Sequence, residues 1–465
     1  MTLAMVRHMI DRRRFLRGLV VAAAATPAAC AACTRGRSPF AALRPDPQGI
    51  LDLPAGFDCQ VLSRQGDVMD DGLLVPASAD GMAAFADAGG NIVLVCNHEN
   101  YPVDASVGPW GPDLARMAGV PRQSIYDAGF GVTPGNGGTT TLVYDPRRRQ
   151  VMRRHLSLAG TELNCAGGPT PWGSWLSCEE SFQGKGSSFE SGVVVQRERR
   201  HGYVFEVPSG SPGLSVPVAL KAMGRFEHEA AAVSVESGIV YMTEDRHRSL
   251  FYRFIPRSPG RLADGGRLQA LAIDGNPGHD TRNWYASGRL TPGRPMSVGW
   301  VDLDNVDGDS NDLRLRGRAA GAAIFARGEG LCCTGREFAF SCTIGGPDRL
   351  GQVFLYSPSR FEGKPGETDH PGHLQLLAEA TPDSLLRNAD NMVAAPWGDL
   401  IVCEDTADHC GLVGIRPNGN QYAIADNAYS NSELAGVCFS PDGSIMFVNV
   451  QYPGLTLAIT GPWPN

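Results

Sequence analysis

The chain carries few charges for its length, 19% of 465 residues, and lacks a comfortable membrane span. Its N-terminal apolar stretch, Leu19 to Ala29, is too short for one. Among the ten cysteines beyond residue 33 there is no CxxC pair. There is no GxSxG elbow, and Ser174 follows Gly173 inside an expected hairpin turn. His228-Glu229 is not a zincin signature, because Ala232 stands where the second histidine belongs. Gly135-Asn136-Gly137-Gly138 precedes a strand instead of joining strand to helix, which excludes a dinucleotide cradle. The Asp-rich segment Asp302 to Asp312 lacks the EF-hand order and its terminal Glu, and reads as a solvated insertion.

What is present describes a turn-rich globular protein, with 42% hydrophobic residues, 57 glycines and 33 prolines. Arg12, Arg13, Arg14, Phe15 and Leu16 ahead of the short apolar run resemble a twin-arginine export signal. The expected division is a signal over residues 1–33, a linker over 34–50 and a single domain over 51–465. Such a chain is handed to the twin-arginine translocation machinery and ends periplasmic or secreted. A lipid anchor at Cys30 or Cys33 lacks a convincing lipobox. Loss of the signal makes the net charge, −8 for the whole chain, more negative still. Nucleic acid is therefore a poor partner, and a monomer is expected. Cys96, Cys178, Cys342 and Cys403 end apolar runs, as small buried thiols do.

A degenerate unit recurs along the chain. Second strands run Ile92–Cys96, Trp175–Cys178, Ile239–Thr243, Phe338–Cys342, Leu400–Cys403 and Ile445–Val448. Gly90, Gly173, Gly238, Gly335, Gly398 and Gly443 turn into them. First strands enter near Asp80, Cys165, Glu229, Glu329, Asn391 and Gly436. A third strand follows each hairpin and ends at or near a proline, which cannot donate to a central ladder. Consecutive apolar positions such as Ile239-Val240-Tyr241-Met242 suit sheets covered on both faces. The pattern predicts an all-β, six-bladed β-propeller, its ring closed by the N-terminal strand Phe57–Leu62.

In an antiparallel hairpin the start of the first strand lies beside the end of the second. One mouth of the ring should therefore gather Asp80, Glu99, Cys165, Glu179, Glu180, Glu229, Glu244, Asp245, Glu329, Asp390, Asn391, Glu404 and Asp405. So many carboxylates repel one another unless cations neutralise them. Oxygen donors favour calcium or magnesium, and a thiolate admits a transition metal.

At these residues the sequence resembles the PhoX-type alkaline phosphatase family. The matching motifs are Asp80-Gly81-Met82, Asn97-His98-Glu99, the run from Asn164-Cys165 to Trp172-Gly173, and Cys178-Glu179-Glu180. They continue with His228-Glu229-Ala230, Thr243-Glu244-Asp245, Arg327-Gly328-Glu329-Gly330, Asp390-Asn391, Pro396-Trp397-Gly398, Cys403-Glu404-Asp405 and the run from Cys438 to Gly443. The resemblance implies a propeller holding iron (Fe3+) together with calcium (Ca2+) and acting on small phosphate monoesters. It implies iron ligation by Cys165 and Glu229 and further metal ligation by Glu180, Glu329 and Asp405, with Glu99, Glu179 and Glu404 in the wider ligand set. Arg327 is implied as the phosphate contact, and Asn391 joins it in the catalytic set. The sequence departs at Asn388-Ala389, where Gly-Pro is expected and whose replacement would loosen the entry loop. It departs again at Cys332-Cys333.

The predicted function is an exported, metal-dependent phosphomonoesterase. Phosphoryl transfer needs charge neutralisation and alignment, and no side-chain nucleophile is assigned. Two other readings fit the same fold: a calcium-dependent lactonase or esterase, and a non-catalytic periplasmic binding propeller.

Overall fold

The computed structural model describes residues 38–407 and 409–464; the expected export signal lies outside them. The chain is all-β and propeller-like. Four sheets have the size of blades. One joins Ala79–Ala86, Ile92–His98, Gly137–Asp145 and Gln150–Thr161, and another joins Asn164–Pro169, Ser174–Glu179 and Val204–Pro208. A third contains Ala389–Ala394, Leu400–Glu404, Gly411–Ile415 and Gln421–Asn427, extended by Leu51–Pro54 and Leu43–Arg44. The fourth contains Leu434–Phe439, Ile445–Val450, Leu455–Thr460 and Asp58–Arg64.

The region between them departs from the expectation of six separate blades. The hairpins His228–Val233/Val240–Glu244 and Gly328–Cys333/Phe338–Cys342 belong to one nine-stranded sheet. Its bridge is Met296–Asp302, which pairs with Gly266–Ile273 on one side and Gly372–Glu379 on the other. An outer edge that would have ended each blade is thereby satisfied by its neighbour.

The first strands of the hairpins nevertheless follow one another around an axis, each touching the next, and Leu434–Phe439 returns to Ala79–Ala86. The expected N-terminal closure strand is present as Asp58–Arg64, antiparallel to Leu455–Thr460. Of the segment expected as a linker, Leu43–Arg44 pairs with Leu51–Pro54, and Phe40 packs edge-on against Phe57, Trp397, Tyr422 and Trp463.

The continuous apolar runs have a simple cause. Tyr241 enters one inter-sheet core while its neighbours Val240 and Met242 enter another. All three are fully buried, and each such side chain contributes roughly 1.5–3 kcal/mol. The ten cysteines of the described residues are all free thiols, and Cys96, Cys178, Cys342 and Cys403 are buried as expected. Among the described residues no helix is long and apolar enough to cross a membrane.

Candidate metal centre

Each inner hairpin contains the same irregularity, an extra residue near the start of its first strand. The register breaks between Ala79 and Met82, Asn164 and Gly167, and His228 and Ala231. It breaks again between Gly328 and Leu331, Ala389 and Met392, and Ala435 and Cys438. A bulge interrupts the regular alternation and re-aims a side chain. The residues at these bulges include Asp80, Cys165, Glu229, Glu329 and Asp390, with Gly436 at the sixth. The strands abut closely there: a Cβ on Gly330 would lie 2.3 Å from the Asp390 carbonyl, and one on Gly436 2.2 Å from that of Asp80.

The result is a continuous set of donors. Cys165, Glu180 and Glu229 bring ligand atoms within 4.8 Å of one another, as do Glu229, Glu329 and Asp390, and again Asp390, Asp405 and Glu433. Glu229 and Asp390 each belong to two of these groups, so the groups form one elongated centre.

The adjacent acids at the strand exits divide their work, because successive side chains of an extended chain point to opposite sides. The second acid of each pair faces the centre: Glu180 and Asp405 join the donor groups, and Asp245 holds Arg327. The first acid turns back and locks its own loop. Glu179 accepts from His201 Nδ1 at 2.7 Å and from the amides of Glu162, Gly202 and Tyr203. Glu244 accepts from the Tyr252 hydroxyl at 2.9 Å and the Leu250 amide. Glu404 accepts from the Arg387 amide at 2.9 Å. The structure thus places Glu179 and Glu404 outside the donor groups.

Glu99 stands beside the centre, where Gln451 Nε2 donates to its Oε2 at 2.8 Å and to Asp80 Oδ2 at 2.9 Å. The other oxygen of Asp80 is buried and has no partner. Asn391 is turned to the backbone: its Oδ1 accepts from the Gly436 amide at 2.8 Å and its Nδ2 donates to Asp390 Oδ1 at 3.0 Å. It aligns a candidate ligand and ties two hairpins together.

Arg327 precedes its strand in the left-handed region, φ 54°, a conformation that non-glycine residues adopt mainly where surroundings hold them. Its amide donates to the Arg246 carbonyl, and its carbonyl accepts from the Thr343 amide. The side chain forks onto Asp245 and reaches Glu329 Oε1 at 3.1 Å. Asn388 adopts φ 47° at the corresponding place of its own hairpin. Asparagine tolerates this region better than most residues. Its Nδ2 donates to the Thr343 carbonyl, and its own carbonyl accepts from the Asp405 amide. At this departure from Gly-Pro the asparagine supplies the glycine-like turn and anchors it as well.

Burial, followed by repulsion from Glu329 and Asp390, holds the Glu229 carboxyl well above the usual range. Burial and then Asp245 and Asp390 do the same to Glu329. Glu180 is raised by burial and by Asp245 and Glu99, and the Cys165 thiol by burial and Glu229. Burial, with Asp390 next, pushes Glu99 up to about 7. Without added positive charge these groups would be forced to hold protons. The orphaned oxygen of Asp80 and the mixed thiol-and-carboxylate donors fit bound cations, a thiophilic metal near Cys165 and oxygen-binding cations along the carboxylates.

Sequence reasoning missed Glu433 as a donor and named Asp390 only within the acidic crown. Glu433 lies just before its strand, while the repeat pointed to Gly436, which has no side chain to offer. The acid immediately ahead of Leu434 was the available signal.

Fold and site together define a propeller-like protein built around a polycarboxylate metal centre that is buried at Cys165, Glu229 and Glu329 and open to solvent at Asp405. Over residues 38–454 the chain matches the family model for the alkaline phosphatase PhoX, and it belongs to that family. The Pseudomonas fluorescens PhoX structure, solved in complex with vanadate, a transition state analogue, is similar with a TM-score of 0.67 at 18% identity, covering 92% of this chain and 98% of that one. A gluconolactonase from Xanthomonas campestris aligns with a TM-score of 0.41 at 12% identity, covering 92% and 99%. No curated protein matches the chain.

Proposed function

We propose that this alkaline phosphatase is an exported enzyme that releases phosphate from small monoesters at the centre formed by Cys165, Glu180, Glu229, Glu329, Asp390, Asp405 and Glu433. One observation carries it: a guanidinium, Arg327, is fixed against a buried acidic centre in a chain of this family. The vanadate bound in the Pseudomonas fluorescens structure mimics a phosphoryl group in flight, which supports a phosphoryl group as the occupant of the corresponding centre here.

Cys165 and Glu229 would hold iron, and Glu180, Glu329 and Asp405, with Asp390 and Glu433, would hold calcium. When bound, these ions supply the positive charge that phosphoryl transfer demands at its oxygens. The chain's own residues do the rest. Asp245 orients Arg327 so that its remaining N–H groups can bind phosphoryl oxygens. Gln451 holds Glu99 and Asp80 in one arrangement. Asn391 fixes Asp390, and the locked exit loops keep Glu180 and Asp405 in place. Burial around Cys165, Glu229 and Glu329 limits water there and strengthens the charge interactions of those groups.

The test combines elemental analysis of purified protein with hydrolysis of an aryl phosphate. Iron and calcium with turnover are expected. Metal-replete protein that cleaves no phosphomonoester above background would end the proposal. Export rests on Arg12, Arg13 and Arg14 ahead of the apolar run. Replacing the three with lysine should leave the protein in the cytoplasm, and efficient export of that variant would refute the route.

A further inference from the structure

The phosphomonoesterase reading accounts for the buried centre but leaves open what meets the organic half of the ester. We propose, resting on that reading, that Tyr101 determines specificity, its ring forming the platform against which the leaving group lies.

The position of Tyr101 follows from a short backbone relay. The Asn100 carbonyl accepts from the Leu163 amide at 3.2 Å, and the Leu163 carbonyl accepts from the Glu180 amide at 2.8 Å. One residue therefore separates the backbone that carries Tyr101 from the backbone that carries Glu180, a donor of the centre. The segment is fastened on both sides. Asn100 is buried and donates from Nδ2 to the Ala77 carbonyl at 3.0 Å, while Asn136 Nδ2 donates to the Tyr101 carbonyl at 3.1 Å. Yet the Tyr101 side is 57% exposed. A large ring is thus presented to solvent from a fixed backbone at the rim of a buried acidic site.

An ester whose phosphoryl group sits by Arg327 must send its organic part outward past this rim. Covering the ring with an aromatic leaving group removes apolar area from water and adds a ring–ring contact, together sufficient for roughly three- to tenfold in affinity. A small alkyl leaving group covers little of it.

Full-length, metal-loaded protein and the variants Tyr101→Ala and Tyr101→Phe should be compared on 4-nitrophenyl phosphate and glycerol phosphate. Tyr101→Ala should raise KM for the aryl ester roughly three- to tenfold. Its kcat, its constants for the alkyl ester and its metal content should stay near those of the parent. Tyr101→Phe should behave like the parent. Equal losses on both esters, loss of metal in Tyr101→Ala, or a Tyr101→Phe as impaired as Tyr101→Ala would each overturn the proposal. Absence of turnover by the parent would overturn the phosphatase reading and this inference with it.

Discussion

Arg327 and Asp245 form a two-pronged ion pair between successive hairpins, Nε to Oδ1 at 2.6 Å and Nη2 to Oδ2 at 2.7 Å. One edge of the guanidinium is therefore spent on orientation, and Nη2 also reaches Glu329, so that in the proposed reading Nη1 is the nitrogen that meets substrate. Lysine keeps the charge but cannot hold the carboxylate and a phosphoryl group at once. Arg327→Lys should retain its metal and lose roughly ten- to a thousandfold in activity, at ~1.4 kcal/mol per tenfold. Undiminished turnover in that variant would remove Arg327 from the phosphate.

Cys165 offers the soft donor among oxygens. Cys165→Ser keeps the size and exchanges the sulfur for a hard oxygen, so iron should be lost while calcium is largely kept. Elemental analysis decides the matter, and unchanged iron would return Cys165 to a packing role.

Glu179 and Glu180 are neighbours with opposite tasks. Removing Glu179 strands His201 and three backbone amides inside the protein, so Glu179→Ala should lower stability by about 3–5 kcal/mol. Glu180→Gln should leave the metal-free protein melting near the parent temperature but reduce metal content. Thermal melts of stripped protein, paired with metal analysis, separate the two. The assignment fails if Glu180→Gln is the less stable variant.

His201 lies fully buried, 2.7 Å from Glu179 and 3.2 Å from Asp127. Burial opposes its charge, but Glu162, Glu179 and the hydrogen bonds that the imidazolium donates to Asp127 and Glu179 outweigh it and push its pKa up from 6.5 to about 10. A raised folded pKa means that the charged imidazolium contributes its full stability below about pH 6.5 and loses it as pH rises through about 10. The melting temperature of the parent should fall across that window, and His201→Gln should flatten the fall. Identical slopes for the two would show that another group governs the alkaline limb.

Much of this arrangement was legible because its signals are local. Glycine at each hairpin turn and proline near each third-strand end marked the repeat, and the repeat placed acids at one mouth. What escaped notice depends on partners far away in sequence. Nothing within Met296–Asp302 announces that it bridges two hairpins, because an outer strand looks alike whether its edge is free or paired. Glu179 and Glu180 carry the same chemistry, and only the strand's phase decides which one faces inward. The six bulges aim the donors of the first strands in the same unannounced way, since a bulge of this kind can be written in ordinary residues. Cys165-Ala166 and Glu229-Ala230 carry no glycine to betray it. Glu433 fell outside the pattern for the same reason, since its hairpin substitutes an acid before the strand for one within it.

Strand Asp58–Arg64 also has an expected cost of removal. Deletion through Leu62 would expose the last sheet's edge and its apolar faces, several kcal/mol at ~25 cal/mol per Å². The truncated protein should melt at a lower temperature or aggregate, and an unchanged, cooperative melt would show that Leu455–Thr460 needs no such cover.

That pairing gives the ring a seam whose two lips are far apart in sequence. The register joins Asp58 to Thr460 and Arg64 to Leu455, so the earlier strand must wait for one made long after it. Every inner hairpin can form while the chain is still growing, since its two strands are near neighbours in sequence. The seam cannot, and contacts of such long separation are slow to find. An emerging chain therefore carries an open edge until Leu455–Thr460 is made, and the circle closes only after the inner hairpins can have formed.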